Sequence, residues 1–369
     1  MNSDIITQLA EEVSTQINRC GIWNVGKNPA PAVISNNKFV HKSLSEWALN
    51  FVIGCGHGCR YCYVPSSSLN KQAAKLALLG VDDPDAQFGD YVFLRPWDEA
   101  AFLASLRSAE NRPADKLKPD GNRAVMLCTT TDAYQAVRDP ELQAHLRMMV
   151  RRSLELIRDH STINVRILTR SPLVREDFDL LSSLGPRVML GMSIPTLRND
   201  LARVYEPAAP APTQRLRVLQ EAAKLGIPTF VAIAPVFPEC DEADIRQTLQ
   251  AVADAGVWTV FAEPVNIRAE NVARIEAHAA SLDIRLNTSV FKDAETWQAY
   301  AINTLKTIER IADEIGVSDR LHLWPDAALG TGVALKRLPP HQREAHTAWL
   351  NRYWNRVSEW PASASSKIA

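Results

Sequence analysis

The sequence predicts an α/β protein whose core is an incomplete, TIM-like barrel of six strand–helix units, (β/α)6, with N- and C-terminal extensions. Three observations favour this fold class. Short apolar runs of strand length recur six times between residues 47 and 261. Segments of helical pattern separate these runs, and strands separated by helices pair in parallel with right-handed crossovers. A complete eight-stranded barrel or a doubly wound sheet is the structural alternative.

The predicted elements follow one another along the chain. The first forty residues predict a helix followed by an extended segment. The prolines at 29 and 31 prevent a helix in that segment. The six predicted core strands are residues 47–53, 124–128, 165–168, 188–194, 229–234 and 258–261, and a further short strand is 91–94. The predicted helices include 69–79, 97–109, 141–158, a segment ending at 181, 213–225, 242–253, 268–280 and 294–314. We therefore divide the chain into an N-terminal extension (1–41), a core barrel (42–266) and a helical C-terminal extension (267–369).

Composition sets limits on function. The chain has 369 residues, of which 46% are hydrophobic and 22% charged, enough for one large barrel or two domains. Its formal net charge of −1 argues against broad, unspecific binding to nucleic acid, though not against a local basic groove. Only three of the six cysteines cluster, which indicates free thiols in a reducing interior. No apolar signal core or membrane span is evident, so we expect a cytoplasmic protein.

A glycine-rich loop with three cysteines follows the first predicted strand. It reads Cys55-Gly56-His57-Gly58-Cys59-Arg60-Tyr61-Cys62-Tyr63. Its glycines allow a tight fold in which the three sulfurs converge, and clustered thiolates indicate a metal site. Zinc and ordinary iron–sulfur clusters normally take a fourth ligand, and no fourth cysteine lies nearby. Three thiolates on a cubane cluster would leave one iron open; the alternatives are a zinc site completed by His57, or three unrelated core cysteines.

The cysteine spacing resembles the signature of the radical S-adenosylmethionine (SAM) superfamily, Cys-x3-Cys-x2-Cys with an aromatic residue before the last cysteine. The resemblance implies a [4Fe-4S] cluster held by Cys55, Cys59 and Cys62, whose open iron binds the amino and carboxylate groups of SAM. It also implies reductive cleavage of SAM to a 5′-deoxyadenosyl radical, with the electron supplied by an external donor of the flavodoxin or ferredoxin type. Tyr61 occupies the aromatic position that in the family lies against the adenine.

Polar residues follow the predicted strands at their carboxyl ends, where α/β barrels and sheets place their ligands. Hydroxyls, an arginine and two carboxylates collected at one rim suit an adenosyl and amino-acid ligand. The alternative is that these threonines and aspartates cap helices. The segments concerned are Thr129-Thr130-Thr131-Asp132-Ala133-Tyr134-Gln135, Thr169-Arg170-Ser171-Pro172, Ser193-Ile194, Pro235-Val236-Phe237-Pro238 and Glu263-Pro264-Val265-Asn266.

Between Lys42 and Asn266 the chain resembles the DNA repair photolyase-like subgroup of the superfamily, which includes spore photoproduct lyases. The matching stretches are these segments together with Gly56-His57-Gly58, Tyr205-Glu206-Pro207, Ala208 to Glu221 and Val231 to Pro238. By position, the resemblance implies that Thr131 and Asp132 approach the SAM amino group. It implies that Arg170, where the family usually has lysine, faces the carboxylate. The ribose and adenine contacts that it implies are Ser193, Ala234 and Val236. Ala133 departs from the proline that many members carry.

The motifs specify the cluster and SAM but leave the substrate open. The subgroup resemblance favours lyase-type repair of a pyrimidine photoproduct in DNA, which makes nucleic acid a candidate partner. One alternative is a radical SAM enzyme that acts on RNA, a peptide or a small metabolite. Another is a non-catalytic metal-binding interaction protein.

The lesion-repair lyases return a hydrogen atom from a cysteine just before the Thr/Ser-Asp of the second strand. Cys128 is the only cysteine near that strand end, and Tyr61 and Tyr63 match a tyrosine pair that flanks the third cluster cysteine. Counted back from Asp132, Cys128 falls one residue early, which in a regular strand turns its side chain to the opposite face. Cys128 would then be a core residue and Thr129 would face the site, unless the strand end is irregular.

The C-terminal segment from His341 to Trp360 interleaves arginines with aromatic residues. Such a segment can stack bases and hold phosphates. We favour the alternative, a helix whose aromatic residues pack on the barrel. The extension contains no cysteine, so it cannot carry a cysteine-ligated auxiliary cluster.

Overall fold

The structure is a computed structural model that describes residues 19–26, 29–37 and 44–361. The predicted N-terminal helix lies outside the described residues. The strands are β1 (Arg19–Ile22), β2 (Ile34–Asn36), β3 (Trp47–Leu49), β4 (Val52–Gly54), β5 (Tyr91–Leu94), β6 (Ala124–Leu127), β7 (Asn164–Thr169), β8 (Val188–Ser193), β9 (Thr229–Val236), β10 (Thr259–Pro264) and β11 (Leu321–Leu323).

The helices cover the outside of the main sheet, and most begin at an aspartate N-cap or a proline in the first turn, as helix starts favour. They are α1 (Ala73–Ala77), α2 (Glu99–Glu110), α3 (Pro140–His160), α4 (Phe178–Leu184), α5 (Asn199–Tyr205), α6 (Pro212–Lys224), α7 (Glu242–Asp254), α8 (Asn271–Ser281), α9 (Ala294–Glu314), α10 (Gly332–Arg337) and α11 (Pro340–Trp354).

The main sheet has eight strands in the order β2-β3-β6-β7-β8-β9-β10-β11. Every neighbouring pair is parallel except β2 with β3. In the described part of the chain the edge strands β2 and β11 do not pair with each other, so the barrel stays open. The predicted incomplete α/β barrel is confirmed, and β11 adds a seventh parallel strand from the C-terminal extension.

The predicted first strand, residues 47–53, is wrong as a single element. It divides into β3 in the main sheet and β4 in a small second sheet of order β1-β5-β4. Asn50 lies at the division, and its side-chain oxygen accepts the backbone N–H of Thr129 at 2.9 Å and of Thr130 at 3.3 Å. The amide thereby joins the end of β3 to the loop after β6, and the chain turns away before the cysteines.

The predicted helix over 69–79 is also shorter in the structure. Only α1, residues 73–77, is α-helical. A π-helical turn (Pro65–Leu69) and a 3-10 turn (Asn70–Gln72) precede it. The remaining predicted helices and strands occur within a few residues of their expected positions, and α9 has the predicted bounds.

Residues along the strands alternate between two faces, as the β period of two requires. Val125 and Leu127 pack in the main core under the helices, whereas Met126 packs with Phe230 and Phe261 in the barrel lumen. The lumen at the amino ends of the strands is therefore largely apolar, and the polar residues gather beyond the carboxyl ends.

The C-terminal extension packs on the barrel. In α11, Trp349 Nε1 donates to Glu309 at 2.9 Å and Trp354 Nε1 donates to the Pro325 carbonyl at 2.8 Å. The Tyr353 hydroxyl also donates to Glu309, at 2.6 Å. These contacts agree with the packing interpretation of the aromatic residues. The three-part domain division stays a prediction, because strands from all three segments join the sheets.

None of the described helices combines the length and the apolar character that a transmembrane segment requires.

Gly191 on β8 provides a test of packing in the lumen. An added Cβ would overlap the ring of Phe230, whereas at Gly332, the first residue of α10, an added Cβ meets nothing within 4 Å. We expect Gly191→Ala to lower the free energy of unfolding by about 1–3 kcal/mol, as overpacking does. Gly332→Ala should change it by less than about 0.5 kcal/mol. Denaturant unfolding measures both, and equal stabilities of the two variants would contradict this packing.

Candidate functional site

The cysteine loop leaves β4 at the carboxyl rim of the barrel. Cys55 and Cys59 are buried and Cys62 is half-buried. The loop closes on itself, because the N–H of Gly58 donates to the Cys55 carbonyl at 3.3 Å and the N–H of Cys62 donates to the Cys59 carbonyl at 3.1 Å. Gly58 has a φ of +55°, and its Cα approaches the backbone of Gly89, so a side chain would be strained and crowded there.

The surroundings of the thiols suit bound thiolates. Burial raises the pKa of Cys59 to about 12, and it raises the pKa of Cys55 and of Cys62 as well. The backbone N–H of His57 faces the Cys55 sulfur and that of Val64 faces the Cys62 sulfur, and both lower the pKa of the thiol. Buried thiols with aimed N–H donors fit a thiolate-ligated cluster, which holds its ligands deprotonated and tunes them by hydrogen bonds.

A single-ion site fits less well. No three ligating side chains of the described residues are grouped so that one metal ion could bind them. His57, the candidate fourth zinc ligand, has its Nε2 2.9 Å from Asp132 Oδ2, where an ionised carboxylate accepts the N–H. These two observations speak against a zinc site completed by His57.

Helix α8 holds the outer side of the cysteine loop. Asn271 Nδ2 donates to the Tyr61 carbonyl at 3.2 Å, and Arg274 Nε donates to the Arg60 carbonyl at 3.3 Å. The same guanidinium also donates to the Cys62 carbonyl. The backbone of the loop is therefore fixed by side chains from the C-terminal extension.

The segment after β6 holds the inner side of the loop. Gln135 Oε1 accepts the Gly56 N–H at 2.7 Å, and Thr131 Oγ1 donates to the Gly54 carbonyl at 2.8 Å. Gln135 Nε2 in turn donates to Thr131 Oγ1 at 2.7 Å. Thr131, predicted to approach SAM, thus also positions the cysteine loop.

The buried carboxylate of Asp132 joins this segment to the cysteine loop and to β7. It accepts four hydrogen bonds: from His57 Nε2 at 2.9 Å, Thr169 Oγ1 at 2.7 Å, the Arg170 N–H at 2.8 Å and the Tyr134 N–H at 2.9 Å. Burial alone would raise the pKa of Asp132, but His57 and the other donors hold the pKa at about 2. A ligand amino group that contacts Asp132 directly has to replace one of these donors.

A second buried carboxylate, Glu206, connects the remaining charged residues. Arg170 Nε donates to Glu206 at 2.9 Å, Arg215 Nη2 lies 2.5 Å from the other oxygen, and the Tyr61 hydroxyl donates to Glu206. Arg170 Nη2 also donates to the Tyr61 hydroxyl at 2.6 Å. Burial alone would raise the pKa of Glu206, but Arg215 and Arg170 hold the pKa at about 2. The cluster of two guanidinium groups and one carboxylate therefore keeps one positive charge in excess.

The predicted ribose and adenine residues lie on neighbouring strands. Ser193 ends β8, and its hydroxyl donates to the Ala234 carbonyl on β9 at 3.2 Å. Val236 is buried at the end of β9, and its carbonyl accepts the Tyr300 hydroxyl at 2.6 Å. The next residue, Phe237, lies 5.8 Å from the Tyr61 ring, between ring centroids.

Cys128 follows an irregular strand end. β6 stops at Leu127, and Cys128 has a φ of +57° and donates its N–H to the Leu49 carbonyl at 2.8 Å. The side chain is only 4% exposed and packs in the main core, and burial raises the pKa of its thiol to about 12. The backbone N–H of Thr129, the next residue, donates to the side-chain oxygen of Asn50. The strand end is therefore irregular, which is the condition under which Cys128 could face the site despite lying one residue early. Its thiol nevertheless lies in the main core.

The predicted site residues therefore differ in their surroundings. Tyr61, Asp132 and Arg170 belong to one hydrogen-bonded assembly around the cysteine loop, whereas Tyr63 beyond the last cysteine is 38% exposed. Residue roles that the sequence interpretation missed are those of Glu206, Arg215, Asn50, Gln135, Asn271 and Arg274. The signal for the first two was available, because both lie inside segments that resemble the subgroup.

Comparisons with known proteins agree with this geometry. The family model of the radical SAM superfamily matches residues 49–252. An uncharacterized protein of Acidianus two-tailed virus, ORF301, is 34% identical over 255 residues, which are 68% of this chain and 77% of the relative. An uncharacterized protein of Methanocaldococcus jannaschii, MJ0683, is 23% identical over 197 residues, which are 53% of this chain and 62% of the relative.

Solved structures of spore photoproduct lyase share the fold. One, complexed with dinucleoside spore photoproduct, has a TM-score of 0.56 and 17% identity, with 78% of this chain and 79% of that chain covered. A mutant with bound AdoMet and dinucleoside spore photoproduct has a TM-score of 0.56 and 16% identity, with 83% and 81% covered.

The cysteine loop predicts the same family that the comparisons find. The family model spans more than half of the chain and includes all three loop cysteines, and the virus relative exceeds 30% identity over two thirds of the chain. This protein belongs to the radical SAM superfamily and is an enzyme of that class.

Proposed function

We propose that this enzyme cleaves SAM reductively at a [4Fe-4S] cluster held by Cys55, Cys59 and Cys62, most directly for lyase-type repair of a pyrimidine photoproduct in DNA. The observation that carries the proposal is the attachment of one three-cysteine loop to the ends of β6 and β7 through Asp132. When bound, the cluster supplies the electron that breaks the sulfonium bond and an open iron for SAM. The electron comes from an external donor of the flavodoxin or ferredoxin type.

The chain's own residues orient SAM by charge. Arg170 and Arg215 together exceed the charge of Glu206 by one, and Arg170 is the member of this cluster that is not fully buried. A partly dry cationic pocket suits the carboxylate of SAM, because charge-assisted hydrogen bonds are strongest where water is excluded. Arg170 therefore binds the carboxylate in this proposal. Thr131 and Asp132 lie beside the amino group.

The adenosyl part of SAM lies on the ends of β8 and β9 in this proposal. Ser193 faces the ribose, and Ala234 and Val236 with the ring of Tyr61 border the adenine. Tyr61 is held by its hydroxyl, which donates to Glu206 and accepts from Arg170. A ring fixed at its polar end presents its face without further loss of conformational entropy.

Repair of a DNA photoproduct is supported by the fold. The likeness to spore photoproduct lyase extends over about four fifths of both chains, and both of the structures reported above contain dinucleoside spore photoproduct. Tyr61, Tyr63 and Cys128 are the residues that the sequence resemblance implies for that chemistry. Nucleic acid is then the partner of the exposed rim around Tyr63.

A second candidate is a radical SAM enzyme that acts on RNA, a peptide or a small metabolite. The burial of Cys128 favours it, because a thiol in the main core does not reach a substrate radical without a local rearrangement.

Anaerobic reconstitution distinguishes the candidates. With dithionite and SAM, the loaded enzyme should produce 5′-deoxyadenosine, and with a dinucleotide photoproduct it should restore the two pyrimidines. Formation of 5′-deoxyadenosine without photoproduct turnover would favour the second candidate. Absence of both cluster absorbance and 5′-deoxyadenosine would contradict the proposal as a whole.

Glu206→Gln tests the charge arrangement. Removing the carboxylate charge leaves Arg170 and Arg215 uncompensated in a buried place, so we expect a loss of about 3–5 kcal/mol in stability. SAM affinity should fall about tenfold or more through misplacement of Arg170 and Tyr61, while the iron content of the folded variant stays unchanged. The matched control is Glu221→Gln, which removes a half-exposed partner of Arg175.

Thermal unfolding, equilibrium SAM binding and iron analysis are the measurements for this pair. If Glu206→Gln binds SAM and unfolds like Glu221→Gln, Glu206 does not position the SAM site.

Cys128→Ala tests the repair proposal. If Cys128 donates a hydrogen atom, the variant should cleave SAM normally and convert the photoproduct to misrouted or adducted products. Chromatography of the products with mass spectrometry detects the change, and Cys240→Ala serves as a control. A normal product spectrum from Cys128→Ala would remove this thiol from the mechanism.

A further inference from the structure

The lumen near the amino ends of the strands contains a buried arginine. Arg166 is the third residue of β7, in register with Met126 on β6 and Met189 on β8. Its side chain has 0% exposure, and none of its three guanidinium nitrogens has a hydrogen-bond partner within residues 19–26, 29–37 and 44–361. Buried polar groups are normally paired, and an arginine can donate five hydrogen bonds.

Aromatic rings surround this guanidinium. Its central carbon lies 5.3 Å from the ring centroid of Phe230, 5.9 Å from that of Phe261 and 5.1 Å from that of Trp360. Ring faces stabilise a cation, but they do not replace the acceptors that its in-plane N–H groups require. The rings thus hold the charge in place and leave its hydrogen-bonding demand unmet.

Within the described residues no carboxylate offsets the charge of Arg166. Burial lowers the pKa of Arg166 to about 9, so the group is still a cation at neutral pH. His322 on β11 is buried in the same lumen, and burial, Arg356 and Arg166 lower the pKa of its imidazole to about 4. An anion is the species that would satisfy such surroundings, because a buried charge without a counter-charge is costly.

A short C-terminal strap, residues 355–361, closes this end of the lumen. Trp360 Nε1 donates to the Pro186 carbonyl at 2.7 Å, Asn122 Nδ2 donates to the Ser358 carbonyl at 3.0 Å, and Trp258 Nε1 donates to the Glu359 carbonyl at 3.2 Å. The contacted residues Pro186, Asn122 and Trp258 lie just before β8, β6 and β10, respectively. Arg356 of the strap also donates to the Ser318 and Asp319 carbonyls. Hydrogen bonds hold the strap in place, and displacement of Trp360 would open a route to Arg166.

We propose that Arg166 anchors a binding site for a small oxyanion, a phosphate or a carboxylate, in the lumen at the end opposite the cysteine loop. The in-plane N–H groups of a guanidinium can pair with two oxygens of one oxyanion, and those of Arg166 have no partner within the described residues. Trp360 is the removable wall of this site. The site does not depend on SAM chemistry or on the substrate of the enzyme.

Equilibrium dialysis of the full-length, cluster-loaded protein against radiolabelled inorganic phosphate tests the proposal, with competition arms of acetate and sulfate. We expect saturable binding of one phosphate per chain. The Arg166→Met variant should bind about tenfold more weakly or not at all, whereas Arg107→Met, the same change at an exposed arginine of α2, should bind normally. Competition by acetate identifies a carboxylate site, and competition by sulfate alone identifies a phosphate site.

Trp360→Ala provides a second test in case Arg166→Met does not fold, because this substitution changes only the strap. Stopped-flow measurement of phosphate exchange should show faster exchange in this variant than in the unmodified protein. Absence of saturable binding of any of these anions, or unchanged binding by folded Arg166→Met, would overturn the proposal and leave Arg166 as a cation held by ring faces alone.

Discussion

The carboxylate of Asp132 is the point on which the site depends. Its four hydrogen bonds come from three segments that are distant in sequence: the cysteine loop, its own loop after β6 and the end of β7. A buried carboxylate is stable only when its lone pairs are satisfied, so the three segments are held together or the charge is left unpaired. The position of the thiols relative to the barrel rim follows from this constraint.

Arg170 links this first carboxylate to the second. Its backbone N–H donates to Asp132, while its side chain donates to Glu206 and to the hydroxyl of Tyr61. Glu206 in turn pairs with Arg215, which donates to the Ser193 carbonyl at 2.9 Å. Two buried acids thus position the residues that are proposed to meet the carboxylate, adenine and ribose of SAM. Such mutual support is the preorganisation that binding and catalysis require.

Much of the fold was predictable because local patterns agree with it. Apolar runs alternating with helical segments gave the parallel strands, and α9 begins and ends where its periodicity predicts. The division of the first strand was not predictable, because Asn50 has its effect through a loop almost eighty residues later. The cysteine spacing predicted the family, and the assignment of the three thiols as cluster ligands stays a prediction.

The remaining errors and omissions have the same physical origin. Glu206 and Arg215 lie in segments that resemble the subgroup, but no local pattern shows that the two are buried as an ion pair. Arg166 lies in the predicted strand 165–168, but its neighbours in the lumen come from β9, β10 and the C-terminal strap, which no local pattern indicates. The role of a side chain cannot be predicted from local sequence when it depends on partners that are distant in the chain.

Iron analysis with electron paramagnetic resonance of the reduced protein, across single cysteine-to-alanine variants, tests the central claim most directly. Three loop thiols leave no spare ligand, so loss of Cys55, Cys59 or Cys62 should abolish the cluster signal. Loss of Cys20 or Cys240, which lie outside the loop, should leave the signal unchanged. A Cys59→Ala protein with a full cluster signal, and with SAM cleavage intact, would contradict the account.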